Sequence, residues 1–203
     1  MYIINYNKTF FLKSAAKISE INIKHGIEIA FIGYSNTGKS SAINFLTNQK
    51  KLAKCSKTPG RTQLINFFQV LQDFRIVDLP GYGYSKCPVS IKLKWENLIY
   101  NYLNKRKPLR GLIFLMDIRN PLKLHDKNII NIILKNKLPV LVLLTKCDKL
   151  TLGQQKIQFQ IVYNKLKYLL NNFDIELFSS FKKVGISKLK YQLNFWYKKY
   201  YNS

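Results

Sequence analysis

Residues Gly33-Tyr34-Ser35-Asn36-Thr37-Gly38-Lys39-Ser40 set two glycines, a lysine and a hydroxyl in the pattern G-x-x-x-x-G-K-S, directly after the apolar run Ile27 to Ile32. Glycines let the backbone curl so that successive N–H groups, and the start of a following helix, all face one anion. Lys39 adds a mobile positive charge, and Ser40, opening the helix-forming segment Ser41 to Leu46, is placed to hold Mg2+ between two phosphates. This is a P-loop, and the strand before it and the helix after it are the context that separates it from a chance glycine turn. The implied ligand is a nucleoside diphosphate or triphosphate.

A P-loop alone fits an ATPase or a kinase as well as a GTPase. The deciding residues are Thr145-Lys146-Cys147-Asp148, at the end of the apolar run Val140 to Leu144. A carboxylate such as Asp148 accepts hydrogen bonds from guanine N1–H and the 2-amino group together. Adenine has no 2-amino donor and presents a lone pair at N1, so the wrong base leaves a buried charge unpaired. Lys146 is expected across the base, bracing the P-loop. Asp78-Leu79-Pro80-Gly81 ends another strand, with Asp78 near Mg2+ through a water and the Gly81 N–H near the γ-phosphate. Thr58-Pro59-Gly60-Arg61-Thr62-Gln63 forms a loop in which Thr62 coordinates Mg2+ only when a triphosphate is bound, a switch ordered by GTP and released by hydrolysis. The expected metal ligands are therefore Ser40, Thr62 and Asp78. Where many GTPases carry a water-orienting glutamine after that glycine, this chain has Tyr82, so intrinsic hydrolysis is expected to be slow. The missing transition-state charge is assigned to K+ held partly by Asn36, or to docking on a partner. Lys39, Thr62 and Asn36 are the residues expected to act in hydrolysis.

The elements that must position these residues alternate apolar strands with helical segments, which predicts an α/β, mostly parallel sheet covered on both faces. Strands are expected at Ile27 to Ile32, Leu64 to Val70, Phe74 to Asp78, Gly111 to Asp117, Val140 to Thr145 and Ile175 to Phe178, with helices following Lys39, Val89, Leu122, Gly153 and Gly185. The second and third strands are too close for a crossover and must form a hairpin, giving six strands with one antiparallel at the edge. Ile186, Leu189, Leu193, Trp196 and Tyr200 recur at helical steps, the stripe of a helix docked on a sheet, which leaves the C-terminal lysines on the opposite face as an RNA contact. Lys105, Arg106 and Lys107 form a second basic cluster, equally readable as a solvated helix end. One domain spans residues 1–203, with 1–23 as an N-terminal extension and 24–203 as core and C-terminal helix.

The 34 basic and 10 acidic residues give a net charge of +24, the sign that attracts nucleic acid. The charge is almost all lysine, since the arginines are only Arg61, Arg75, Arg106, Arg110 and Arg119, and Asn, Ile, Tyr and Phe abound. An AT-rich genome biases composition the same way, and the reading adopted is a nucleic-acid or ribonucleoprotein surface enlarged by that drift. Cys55, Cys87 and Cys147 are odd in number and lack metal-ligand spacing, which suits a reducing cytoplasm. No apolar run has the length of a membrane span, and no signal sequence is expected.

These motifs resemble the EngB (YihA, YsxC) ribosome-biogenesis GTP-binding proteins of the TrmE-Era-EngA class. The likeness runs through Glu28-Ile29-Ala30-Phe31, the P-loop, Lys57-Thr58-Pro59-Gly60-Arg61-Thr62-Gln63, Asp78-Leu79-Pro80-Gly81-Tyr82-Gly83-Tyr84, Leu115-Met116-Asp117-Ile118-Arg119, Thr145-Lys146-Cys147-Asp148-Lys149-Leu150 and Phe178-Ser179-Ser180. The resemblance implies a G-domain fold, Mg2+ dependence, a role in assembling the large ribosomal subunit through rRNA and ribosomal proteins, and a requirement for normal cell division and septation. It also implies that Gly60 to Leu64 (Gly60, Arg61, Thr62, Gln63, Leu64) and Phe178, Ser179 and Ser180 line the nucleotide, the latter through backbone donors to guanine O6. Departures are Tyr34 where the family usually has Arg, Cys147 for Ala and Asn120 for His. A monomer is expected. Two rivals remain on the residues alone: an RNA-binding assembly factor that keeps the nucleotide as a structural ligand, and an ATP-dependent kinase, which Asp148 argues against.

Overall fold

The structure, a computed structural model, describes residues 4–54, 64–83 and 89–201. Seven strands form one sheet: β1 (Phe10–Ala15), β2 (Ile27–Gly33), β3 (Ile65–Leu71), β4 (Phe74–Asp78), β5 (Leu109–Asp117), β6 (Val140–Thr145) and β7 (Phe173–Phe178), in the order β1-β3-β4-β2-β5-β6-β7. β2 pairs in parallel with β4 and β5, and β6 with β5 and β7. β3 runs against both of its neighbours, β4 and β1. The G-domain fold expected from the motifs is therefore present, but with seven strands rather than six, and the reversed strand lies one place in from the edge. The added strand is β1, which comes from the segment read as an extension. Its side chains run exposed through Phe10, Phe11 and Leu12 before Ala15 is buried, so it lacks the alternation that marks a half-buried strand.

Helices α1 (Lys39–Thr47) and α5 (Ile186–Tyr201) cover one face, and α2 (Val89–Lys105), α3 (Leu124–Asn136) and α4 (Leu152–Lys167) the other. β2 is buried along its whole length, as a central parallel strand with helices on both sides must be. The stripe read on the C-terminal helix packs as expected: Leu189, Leu193 and Trp196 are buried, with Ile186 and Tyr200 packed beside them. Each such side chain contributes roughly 1.5–3 kcal/mol.

One charge inside this core departs from the sequence reading. Glu28 of β2 is fully buried and accepts hydrogen bonds from Tyr102 (2.8 Å) and from Arg106 Nε (2.8 Å), with Arg75 Nε 3.5 Å away. Arg106, read with Lys105 and Lys107 as a second basic cluster or a solvated helix end, is instead the counter-ion of Glu28. The pair ties the end of α2 to the central strand, and removing either partner leaves an uncompensated buried charge. Among the described residues no helix is long and apolar enough to cross a membrane.

Candidate nucleotide site

The loop between β2 and α1 holds Asn36 (φ 64°) and Gly38 (φ 93°) in the left-handed region. Such turns point consecutive N–H groups to one side and make an anion-binding concavity. A Cβ added at Gly38 would meet nothing within 4 Å, so open space lies beside the first turn of α1. Ser35 Oγ is a buried hydroxyl with no partner among the described residues. An open cradle and an unsatisfied hydroxyl, at a helix N-terminus beside Lys39, fit a phosphate chain. Lys39 is ion-paired with Asp78 at the end of β4, and Ser40 Oγ makes only a long contact, 3.4 Å, with the Lys54 carbonyl.

The Thr145 to Asp148 segment, expected from the sequence to select the base, is wired to the same loop. Thr145 Oγ1 donates to the Thr37 carbonyl (2.7 Å), and Lys146 Nζ to the Asn36 carbonyl (2.6 Å). Thr37 Oγ1 donates in turn to the Tyr34 carbonyl (2.8 Å). Asp148 Oδ1 accepts from Ser179 Oγ at 2.6 Å, and Lys149 Nζ lies 3.6 Å from Oδ2. The Ser179 hydrogen bond holds the Asp148 carboxyl below its ordinary value, keeping it the acceptor that a guanine edge requires. Phe178, Ser179 and Ser180 close this end, with Phe178 buried against Phe45 of α1. The Cys147 side chain packs into the core. Burial pushes its thiol upward, so it stays protonated.

Two positions unassigned from the sequence complete the base end. Asp117, at the end of β5, lies 3.0 Å from Lys146 Nζ and accepts from Arg119 Nε (2.9 Å) and Nη2 (2.6 Å). Burial acts to raise its carboxyl, but the hydrogen bonds from Arg119 and Lys146 prevail and hold it well below the usual carboxylate range. The signal was present in Leu115-Met116-Asp117-Ile118-Arg119, where a carboxylate ends an otherwise apolar strand.

Beyond Asp78, Leu79 and Pro80 are buried and Gly81 leads to Tyr82, whose carbonyl accepts from Ser35 N (2.8 Å) and whose N–H reaches the Gly33 carbonyl (3.4 Å). The Tyr82 side chain is only 4% exposed and donates to Asp126 of α3 at 2.5 Å. It faces the core, so the Tyr82 side chain itself is not placed to orient a water after Gly81. Tyr34 packs edge-on against Tyr82, ring centroids 5.9 Å apart, with Lys123 Nζ 4.0 Å above its ring. Its side chain is thus engaged with Tyr82 and the start of α3. Leu64 is half-buried ahead of β3. Gly60, Arg61, Thr62 and Gln63, like Tyr84, Cys55 and Cys87, lie outside the described residues.

A P-loop, an Asp-x-x-Gly and a Thr-Lys-x-Asp at the C-terminal ends of the parallel strands β2, β4 and β6 define the class: this is a P-loop GTPase. The family model described as 50S ribosome-binding GTPase matches residues 28–146. The probable GTP-binding protein EngB of Buchnera aphidicola subsp. Schizaphis graminum is 68% identical over 200 residues, 98% of this chain and 100% of that one. The chain belongs to the EngB family of GTP-binding proteins; it binds guanine nucleotide and hydrolyses GTP. The crystal structure of a probable GTP-binding protein engB superposes with a TM-score of 0.67 at 21% identity, covering 85% of this chain and 99% of that chain. Era, in complex with MgGDPNP and nucleotides 1506–1542 of 16S ribosomal RNA, gives 0.61 at 20% identity, covering 85% and 57%.

Proposed function

We propose that the chain is a nucleotide-operated switch in assembly of the large ribosomal subunit, acting as a cytoplasmic monomer. The observation that carries the reading is the double link between Tyr82 and the P-loop, Ser35 N to Tyr82 O and Tyr82 N to Gly33 O. A γ-phosphate arriving at Gly81 and Lys39 must disturb the Lys39–Asp78 pair and this short ladder. A change of phosphate state thereby becomes a change in backbone that a partner can read. Support for the partner comes from the family description as 50S ribosome-binding, from the rRNA held by the related Era, and from the +24 charge. The family resemblance extends the reading to cell division and septation.

Ser40 Oγ and the Asp78 carboxylate are hard oxygen donors of the kind Mg2+ takes, and with Thr62 they would hold it. Held by these residues, Mg2+ would neutralise phosphate charge. Lys39 then binds phosphate, Asp148 selects the base, and Lys146 spans the two. With the Tyr82 hydroxyl committed to Asp126, unaided hydrolysis is slow, and Asn36 would help hold a K+ ion whose charge, or else docking on the particle, would supply the stimulus. The test is cosedimentation with large ribosomal subunits in GDP and in a non-hydrolysable GTP analogue, with turnover measured in KCl and in NaCl. Tighter association in the triphosphate state supports the switch, and association indifferent to nucleotide rejects it. Equal turnover in the two salts removes the K+ part alone.

A further inference from the structure

The side of α5 turned away from the sheet carries a surface that the nucleotide site does not use. Lys188, Tyr191, Phe195 and Lys198 follow at steps of three, four and three residues, so they line one side of the helix while Leu189, Leu193 and Trp196 face the core. Tyr191 is 63% exposed and Phe195 49%. Their rings are nearly parallel, 12° apart in plane with centroids 6.5 Å apart, and Lys188 Nζ stands 5.7 Å over Tyr191. Two large rings are thus held in water side by side, with a lysine ammonium over one of them.

The charge around them has one sign. From Leu177 to Ser203 the sequence holds Lys182, Lys183, Lys188, Lys190, Lys198 and Lys199 and no Asp or Glu. Lys188 reaches back to Asp174 at 3.2 Å, whereas Lys190 and Lys198 make no ion pair with the described residues. A helix face built to dock on an ordinary protein surface gains little from a run of lysines with no acidic residue among them. A polyanion with flat π faces gains from both the lysines and the rings. In a duplex those faces are stacked inside and only phosphates are offered, while a single strand offers bases and phosphates together.

We infer that the outer face of α5 is a docking surface for single-stranded RNA, with bases stacking on Tyr191 and Phe195 and phosphates met by Lys188, Lys198 and the neighbouring lysines. The inference rests on the ribosomal reading above and names the component touched: an unpaired rRNA segment, bound at a surface separate from the nucleotide site.

The test titrates the full chain, loaded with GDP, into a labelled single-stranded RNA of about 12 nucleotides, a length within the usual range of such sites. A hairpin duplex serves as competitor. Tyr191→Ala with Phe195→Ala is expected to weaken single-strand binding by about tenfold or more. Lys188→Gln with Lys198→Gln is expected to reduce the slope of log affinity on log salt by about 1.4. GDP affinity and thermal midpoint should stay unchanged in both. Wild-type RNA affinity in the ring variant, or a duplex that binds as tightly as the single strand, overturns the inference. Cosedimentation of the same variants with large subunits separates it from the ribosomal reading. If wild type and ring variant cosediment alike, the surface is wrong and the switch stands. If neither cosediments but RNA binding depends on the rings, the surface stands and the ribosomal partner falls. If the ring variant loses the subunit yet binds RNA normally, the face contacts a ribosomal protein and the inference is wrong.

Discussion

Asp117 Oδ2 lies 3.0 Å from Lys146 Nζ, and the same ammonium donates to the Asn36 carbonyl at 2.6 Å, so a carboxylate on β5 fixes the lysine that joins the base end of the site to its phosphate end. Asp117→Asn removes the charge that holds both Lys146 and Arg119, and guanine-nucleotide affinity is expected to fall about tenfold, the scale of one charge-assisted hydrogen bond. Titration with fluorescent GDP reads this directly, and an unchanged affinity would show that Lys146 positions itself. The pH sign is fixed by the lowered carboxyl. A depressed group contributes above the ordinary carboxylate range and loses that contribution only as pH falls through its folded value, so this pair should add no pH dependence between about pH 5 and 8.

Asp148, the residue proposed to select the base, has a positioning contact of its own, Ser179 Oγ to Asp148 Oδ1 at 2.6 Å. Ser179→Ala leaves the carboxylate ionised but free to rotate. The expected loss is about tenfold in the preference for GDP over ADP, borne by weaker GDP binding. Ser179→Thr, which keeps the hydroxyl, should retain most of the preference. Competition titrations with both nucleotides give the ratio, and a ratio equal to wild type for the alanine variant would remove Ser179 from specificity.

How much of this was legible beforehand follows from how local each signal is. The P-loop, Asp78 to Gly81 and Thr145 to Asp148 each crowd their chemistry into a few adjacent residues, and periodicity placed a strand before each. The contacts that orient them join Asp117 to Lys146, Ser179 to Asp148 and Tyr82 to Asp126, pairs brought together only by the order of strands in the sheet. Glu28 gave no warning for the same reason. Its partners Tyr102 and Arg106 lie at the far end of a helix, and nothing local separates a buried arginine from a solvated one. β1 was missed because Phe10, Phe11 and Leu12, successive residues on opposite faces of the strand, are all apolar and all exposed, which erases the alternation that a strand reading needs.

The Tyr82 hydroxyl is the next element to test. Tyr82→Phe removes one of the partners of buried Asp126, which also accepts from Lys123 N at 2.8 Å, and should destabilise the fold by about 1–3 kcal/mol in denaturant titration. Burial raises the Asp126 carboxyl, and the Tyr82 hydrogen bond opposes that rise. A carboxyl with a raised folded value contributes stability that is complete below the ordinary carboxylate range and is lost as pH rises through the folded value. Without Tyr82 that value moves higher still. The variant's deficit should therefore be larger at neutral pH than at acid pH, and an equal deficit at both would mean that Asp126 does not feel the hydroxyl.

Gly83 and Tyr34 form the last coupled pair. Gly83 sits at φ 77°, and a methyl group added there would overlap the Tyr34 ring, which is itself held by Tyr82 and by Lys123. Two costs are combined in Gly83→Ala, and a double-mutant cycle separates them. The left-handed backbone penalises any Cβ by about 1–2 kcal/mol, whatever stands nearby. The overlap depends on the ring alone. Tyr34→Ala should therefore rescue the steric part of the Gly83→Ala loss while leaving the backbone part, a non-additivity of the kind expected for residues in contact. Denaturant midpoints of the four proteins measure it. Additive losses would mean that Tyr34 swings away at no cost and has no hold on the Gly81 to Gly83 turn.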